Sequence, residues 1–401
     1  MRARNRVLIV VENLPVPFDR RVWMEATTLQ KAGYEVSVIC PMGKGYEKDY
    51  EILEGIHIYR HPLPDEMSSV FGYLREYSSA VRWEFQIAHR VWRERRFDIM
   101  HLCNPPDLLF ITALWFKLVH GIKVIFDHHD LSPEMYEAKY NRRDIFYHGL
   151  KLVERLTYIT ADIAISTNES HKSVALNRGH MPSERVFIVR SAPDIARFRP
   201  TPPNKAYYCN RHYLVGYMGV MGEPEGVDYL LRVIHYLVTV KNRRDIHFML
   251  IGGGPAFDKL VALSQTLGIT DFVEFTGFKT GHEFLERLST CDICVEPSPL
   301  SAYNQCCTMN KILEYMALGK PIVQFDLKEG RYSAQGASLY AQPNDEVEFA
   351  ERILELLESS ALRQQLGAEG KRRMEEELEW RHQAPILLKA YESISASVKE
   401  S

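Results

Sequence analysis

At 401 residues the chain is long for one hydrophobic core, and two domains of ordinary size are expected. Hydrophobic residues make up 46% and charged residues 25%, the balance of an ordinary soluble globular protein. The 49 basic residues against 52 acidic ones give no ground for bulk nucleic-acid binding. Seven cysteines, an odd number without framework spacing, point to reduced thiols and a cytosolic compartment. Cys291 and Cys294 form a CxxC inside an apolar strand pattern with no second pair, which argues against a redox or zinc role.

The basic N-terminus runs into an apolar stretch that ends at Glu12, too short for a signal peptide. The longest apolar run, 108–116, stops at Lys117 and is too short to span a bilayer. The protein is therefore expected to be cytoplasmic, at most peripheral to the inner face of a membrane. Strand patterns at 7–11, 36–40, 99–102, 124–127, 163–166 and 186–189 alternate with helical ones such as 21–32 and 144–159. That alternation predicts βαβ units and a parallel sheet with helices on both faces. A proline-rich stretch at 199–210 reads as a linker, and strands resume at 214–217, 248–251, 273–275, 293–296 and 322–325. The expected division is 1–200, 201–375 and a helical tail over 376–401. Two doubly wound halves would face a ligand across a cleft.

In the first half, Asp19 and Arg20 stand where the first strand joins a helix, and His101 and Asn104 follow a later strand. Residues 81–97 interleave Trp83, Phe85 and Trp92 with five arginines. Such a segment suits an anionic membrane surface, or is a helix with its aromatics in the core and its arginines in water. Asp127, His128, His129 and Asp130 end a strand; the set could bind a metal, yet four consecutive side chains diverge and seldom share one ion. In the second half, Gly219, Gly222 and Gly226 punctuate a strand-to-helix turn that carries Glu223, Glu225 and Asp228 but no cation. Gly253 lies in a second glycine run, which lacks the third glycine of a dinucleotide fingerprint. Phe278 stands in a loop after a strand, either beside a ligand or covering core. Residues 297–326 run from a loop into a short helix that Asn310 would cap and Gly319 would end. Lys311 and Glu314, three apart, would lie side by side near the open helix end, a pair suited to a phosphorylated ligand or else an ordinary surface ion pair on an amphipathic helix.

The run LEYMALGKPIV that ends this segment resembles the nucleotide-sugar-binding segment of family 4 glycosyltransferases, retaining enzymes of the GT-B fold. Those enzymes place two glutamates with seven residues between them; the second is Glu314 here, and Cys306 stands at the first. They also carry an Arg and a Lys in the turn that follows Gly219 here, where this chain has carboxylates. The resemblance implies two Rossmann-like domains, acceptor-side (1–200) and nucleotide-sugar-binding (201–375), with the terminal helix packing back on the first. The implied activity is transfer of a sugar from a nucleoside-diphosphate donor to an acceptor hydroxyl with retention, as in surface polysaccharide or glycolipid synthesis. Neither metal nor cofactor is implied. Glu314 would then bind the donor ribose, Lys311 the diphosphate, and His129 the region of the transferring sugar. Gly219, Gly222, Gly253, Phe278 and Asn310 complete the expected donor side, and Asp19, Arg20 and Asn104 the acceptor side. Partners would be the donor, a sugar or lipid-linked acceptor and a membrane surface met through 81–97. A GT-B epimerase and a non-catalytic nucleotide-sugar binder are the alternatives, the latter kept open by Cys306 and the missing cations.

Overall fold

The computed structural model describes residues 6–62, 70–193, 195 and 198–396. The chain falls into two units that part between Ser191 and Ala192, and it returns to the first at Trp380.

In the first unit the apolar runs form a sheet of β1 (Arg6–Val11), β2 (Glu35–Pro41), β3 (Tyr50–Leu53), β4 (Ile56–His61), β5 (Ile99–Cys103), β6 (Lys123–His128), β7 (Ile163–Ser166) and β8 (Val186–Ile188). Their order is β3-β4-β2-β1-β5-β6-β7-β8, and among the described residues only the β3–β4 strand pair is antiparallel. Between them run α1 (Arg20–Lys31), α2 (Val70–Glu94), α3 (Phe110–His120), α4 (Ser132–Tyr140), α5 (Ile145–Thr160) and α6 (Glu169–Asn177). Period-two alternation sorts the core. Val7, Ile9 and Val11 face a layer containing α1 and the C-terminal helix Trp380–Ala396, through Leu387, Ala390, Tyr391 and Ile394. Leu8 and Val10 face α2 and α3, through Ala88, Val91 and Phe116.

The second unit carries a sheet of β9 (Tyr213–Met218), β10 (Ile246–Ile251), β11 (Val273–Gly277), β12 (Ile293–Glu296), β13 (Ile322–Phe325) and β14 (Ser338–Ala341). All its pairs are parallel, in the order β11-β10-β9-β12-β13-β14. Its helices include α7 (Val227–Thr239), α8 (Phe257–Thr266), α9 (Gly281–Thr290) and α10 (Asn310–Ala317).

Two boundaries differ from the sequence expectation. The stretch 199–210 is part of the second unit, because its chain is fastened there. The hydroxyls of Ser289 and Thr290 accept from the N–H groups of Thr201 and Asn204, and Tyr207 donates to Glu286. The division thus falls at 191/192 in place of 200/201. The last helix begins at Trp380, after a wide turn over Met374–Leu378, and Trp380 Nε1 donates to Thr28 Oγ1 on α1. In residues 81–94 the aromatic side is largely spent on the core: Phe85 packs on Trp115 and Trp92 on Phe97 and Phe116. Trp83 and Arg82, Arg90 and Arg93 remain exposed.

Candidate functional site

Parallel α/β sheets gather their polar loops at the C-terminal ends of the strands, and both candidate clusters lie there. In the first unit the end of β6 carries the FDHHD run. Asp127 is fully buried, and its Oδ2 lies 2.5 Å from His129 Nε2. Arg21 completes the group. Its Nη2 donates to Asp127 Oδ1 at 2.8 Å, its Nε reaches both Asp127 and His129, and its Nη1 donates to the Val189 carbonyl. Burial opposes ionisation of Asp127, but the Arg21 guanidinium and His129 hold its carboxyl well below the usual range. Glu25, one turn beyond Arg21 on α1, is driven the other way: burial and the charge of Asp127 push it well above the usual carboxylate value. The two carboxyls are thus driven apart, Asp127 toward its charged form and Glu25 toward its protonated form.

Beneath lie His101 and Cys103, with His101 Nδ1 2.6 Å from the Tyr391 hydroxyl of the C-terminal helix. Glu25, His101, Cys103 and Asp127 bring ligand atoms within 4.8 Å of one another. The Arg21 guanidinium already supplies the positive charge this cluster balances. The four consecutive residues considered as metal ligands do not converge. His128 turns away, its Nδ1 2.6 Å from the Tyr158 hydroxyl and its ring against His171.

Asn104, expected to meet an acceptor, is a brace. Its Oδ1 accepts from the N–H groups of His129 and Asp130, and its Nδ2 donates to Asp107 and the Asp130 carbonyl. Its amide is used up in fixing the turn that presents His129. Asp19 caps α1 by accepting from Val22 N–H, and Arg20 is exposed beside it. The buried guanidinium is the neighbouring Arg21, which sequence reading passed over. Its signal was available: Arg21, Val22, Glu25, Ala26 and Leu29 share the buried stripe of α1, so an i,i+4 charge pair lies on an apolar face.

In the second unit the turn after β9 meets the start of α10. Gly219 has φ +145°, and a Cβ there would lie 3.2 Å from Lys311 Cε, so glycine lets the turn close over the lysine. Gly252 is as constrained, its Cβ position 1.9 Å from the Gly219 carbonyl. Gly222 and Gly253 carry no such demand: neither has a positive φ, and a Cβ would meet only Pro224 at 3.6 Å or nothing. Lys311 is buried, with Nζ 2.6 Å from Glu225 Oε2, 3.3 Å from Glu296 Oε1 and 4.9 Å above the Tyr217 ring. Burial works against its charge, yet Glu225, Tyr217 and Glu296 hold the ammonium well above lysine's ordinary pKa. Burial pushes Glu296 upward, and its carboxylate also accepts from the Ser298 hydroxyl.

The arrangement corrects two expectations. Of the turn's carboxylates Glu225 meets Lys311, and together with Glu296 it clamps the lysine, which does not stand open. Asn310 is the first residue of α10 and not its cap; Met309, in extended conformation, precedes it and makes no side-chain cap. Gly319 does end the helix in the left-handed region, with φ +65°. Glu314 is buried one turn beyond Lys311 on α10. Phe278, 68% exposed after β11, does not cover core.

Two family profiles match: one described as Glycosyltransferase Family 4, over 19–197, and one described as Glycosyl transferases group 1, over 212–359. The chain is 23% identical over 345 residues to alpha-D-kanosaminyltransferase of Streptomyces kanamyceticus, covering 80% of this chain and 84% of that one. In structure it resembles sucrose-phosphate synthase from Thermosynechococcus elongatus, with TM-score 0.82 and 17% identity over 98% of this chain and 100% of that one. It also resembles Anabaena HepE in complex with UDP-glucose, with TM-score 0.70 and 14% identity over 98% and 99% of the two chains. Among the described residues no helix is long and apolar enough to cross a membrane. The chain belongs to the family 4 glycosyltransferases and has the two parallel-sheet units of the GT-B fold.

Proposed function

We propose that the protein transfers a hexosyl group from a nucleoside-diphosphate sugar to an acceptor hydroxyl, with retention at the anomeric carbon. The observation that carries this reading is the buried Lys311 ammonium beneath the Gly219 turn, at the start of a helix that also holds Glu314. A diphosphate meets Lys311 by taking the place of the Glu225 carboxylate, an exchange of one anion for another. N–H groups at the start of α10 add to the phosphate contact, and Glu314 accepts from the ribose hydroxyls. The HepE complex with UDP-glucose, on a similar fold, supports a donor of this class. The leaving nucleoside diphosphate is an anion, so stabilising its charge is the main catalytic task. In this reading His129, oriented by Asp127 through Nε2, acts on the transferring sugar.

A panel of nucleoside diphosphates and sugar nucleotides in a thermal-shift assay tests this. A cognate ligand at a hundredfold excess over its Kd stabilises the fold by about 2.7 kcal/mol and raises Tm. No shift with any member of the panel would overturn the donor assignment. Binding without turnover of any donor and acceptor would favour a nucleotide-sugar-binding protein.

A further inference from the structure

The edge of the second sheet where its strands begin carries a cluster of ligand-type side chains away from Lys311. β10 runs from His247, its second residue, to Ile251, whose carbonyl accepts from the N–H of Gly219 in the turn over the lysine. His247 is thus at the opposite end of that strand, on the face that also bears Met249. Met249 pairs with Glu274 on β11, so histidine and glutamate share one face of the sheet. Cys209 joins them from the turn before β9, just after the short helical turn Lys205–Tyr208. Cys209, His247 and Glu274 bring ligand atoms within 4.8 Å of one another.

His247 is the residue that points to a ligand. It is only 4% exposed, yet neither ring nitrogen has a hydrogen-bond partner among the described residues. An imidazole buried in that way is costly and calls for a partner. Its Nε2 faces Glu274 Oε2 at 3.6 Å, too far for a hydrogen bond. That is the spacing of two ligands on one ion, since bonds of about 2.0–2.3 Å in a tetrahedral shell set ligand atoms roughly 3.3–3.7 Å apart. The other oxygen of Glu274 is already held. Arg287 Nη1 donates to Oε1 at 3.1 Å and orients the carboxylate, the task of an outer partner to a metal ligand.

The donor set selects the ion. A thiolate, an imidazole and one carboxylate suit Zn2+, whereas Mg2+ and Ca2+ take oxygen ligands. Binding releases the Cys209 thiol proton to solvent, while His247 binds as the neutral ring and Glu274 as the carboxylate. Cys209 is exposed, so the site opens to solvent and water can take the fourth position. An ion held there ties the turn that enters the unit to β10 and β11.

We propose that Cys209, His247 and Glu274 form a Zn2+ site at the strand-start edge of the second sheet. The site shares no residue with the donor cluster, so zinc binding and nucleotide binding fail separately. The test uses the full chain with its thiols reduced, in chelator-treated buffer, given Zn2+, Co2+ or Mg2+ alone. Zn2+ is expected to bind at one ion per chain and to raise Tm, an increase that added chelator reverses. Co2+ should give the ultraviolet absorption of thiolate-to-metal charge transfer. Cys209→Ser, a change at an exposed turn, should abolish that absorption and weaken Zn2+ on the order of tenfold or more. His247→Gln should weaken Zn2+ likewise, while Lys311→Met should bind it as the wild type does. Zn2+ held as tightly by Cys209→Ser as by wild type would overturn the proposal. So would an equal rise in Tm with Mg2+, or no rise with Zn2+ at all.

Discussion

Replacing His129 with alanine is expected to lower kcat by on the order of 10²-fold while leaving nucleoside-diphosphate affinity near its wild-type value. The expectation rests on where the ring sits. Its Nε2 is occupied by Asp127 and Arg21, its backbone N–H is fixed by Asn104, and the side chain keeps some solvent exposure at the end of β6. A ring held from both backbone and side chain is preorganised for one position, and preorganised groups contribute to the transition state without reorganising. Lys311, Glu225 and Glu314 lie in the other unit, so the donor's nucleotide should not register the loss. The check is the rate of nucleoside-diphosphate release at saturating donor, beside a titration of the diphosphate itself. An unchanged kcat would remove His129 from the transfer step. Asn104→Ala should reproduce part of the loss, because it frees the turn without touching the ring.

Arg21→Ala should be the most destabilising single change, by about 3–5 kcal/mol, because it strands the Asp127 carboxylate without its buried partner. The pH dependence identifies the cause. Asp127 has a depressed folded pKa, so its contribution to stability is full above the unfolded aspartate value of about 3.9 and is lost as pH falls through the folded value. The gap between wild type and Arg21→Ala in urea unfolding should accordingly be widest at neutral pH and narrow in acid, where the stranded carboxylate is protonated. Glu25 runs the opposite way. Its folded pKa is raised, so the folded state holds a proton that the unfolded state releases, and stability falls as pH rises above about 4.3. Glu25→Gln, which keeps the neutral shape, should remove that decline. A gap for Arg21→Ala that stays constant with pH would assign the loss to packing instead of charge.

Much of the fold was legible because parallel sheets buried on both faces are written as short apolar runs. Each of the eleven strand patterns in the sequence falls on an observed strand. The β3–β4 hairpin escaped because β3 is a short, half-exposed edge, although its turn had a signal in Glu54–Gly55, both with positive φ. The last strand, Ser338–Ala341, is four residues, with Leu339 and Tyr340 in its middle half-buried and no periodicity to recognise. The linker was misplaced for a physical reason: proline richness reports a missing N–H ladder, and hydroxyls of α9 can satisfy the remaining N–H groups as well as water does.

The candidate site was legible by position and less so by partnership. His129, Lys311 and Glu314 stand on the elements expected of them. The sequence could not say that Glu225 would be the partner of Lys311, since the two are joined only when the turn after β9 closes over α10. Arg20 and Arg21 are adjacent residues of one type, and only the apolar stripe that Arg21 shares with Val22, Glu25, Ala26 and Leu29 tells them apart. Glu225, one of the turn's carboxylates, is the internal counter-charge of Lys311, while Glu223 pairs with Lys259 and Asp228 with Arg232.

Calorimetric titration of nucleoside diphosphate and of the free nucleoside, with wild type, Lys311→Met, Glu225→Gln and Glu314→Ala, tests the donor assignment most directly. Loss of a charged hydrogen bond costs about 1.5–3 kcal/mol, so Lys311→Met should weaken the diphosphate at least tenfold and leave the nucleoside unchanged. Glu225→Gln should tighten the diphosphate, because the anion it displaces is gone, and Glu314→Ala should weaken both ligands through the ribose. If Lys311→Met binds the diphosphate as tightly as wild type, and Glu225→Gln does not tighten it, Lys311 is a structural clamp and the donor diphosphate is held elsewhere.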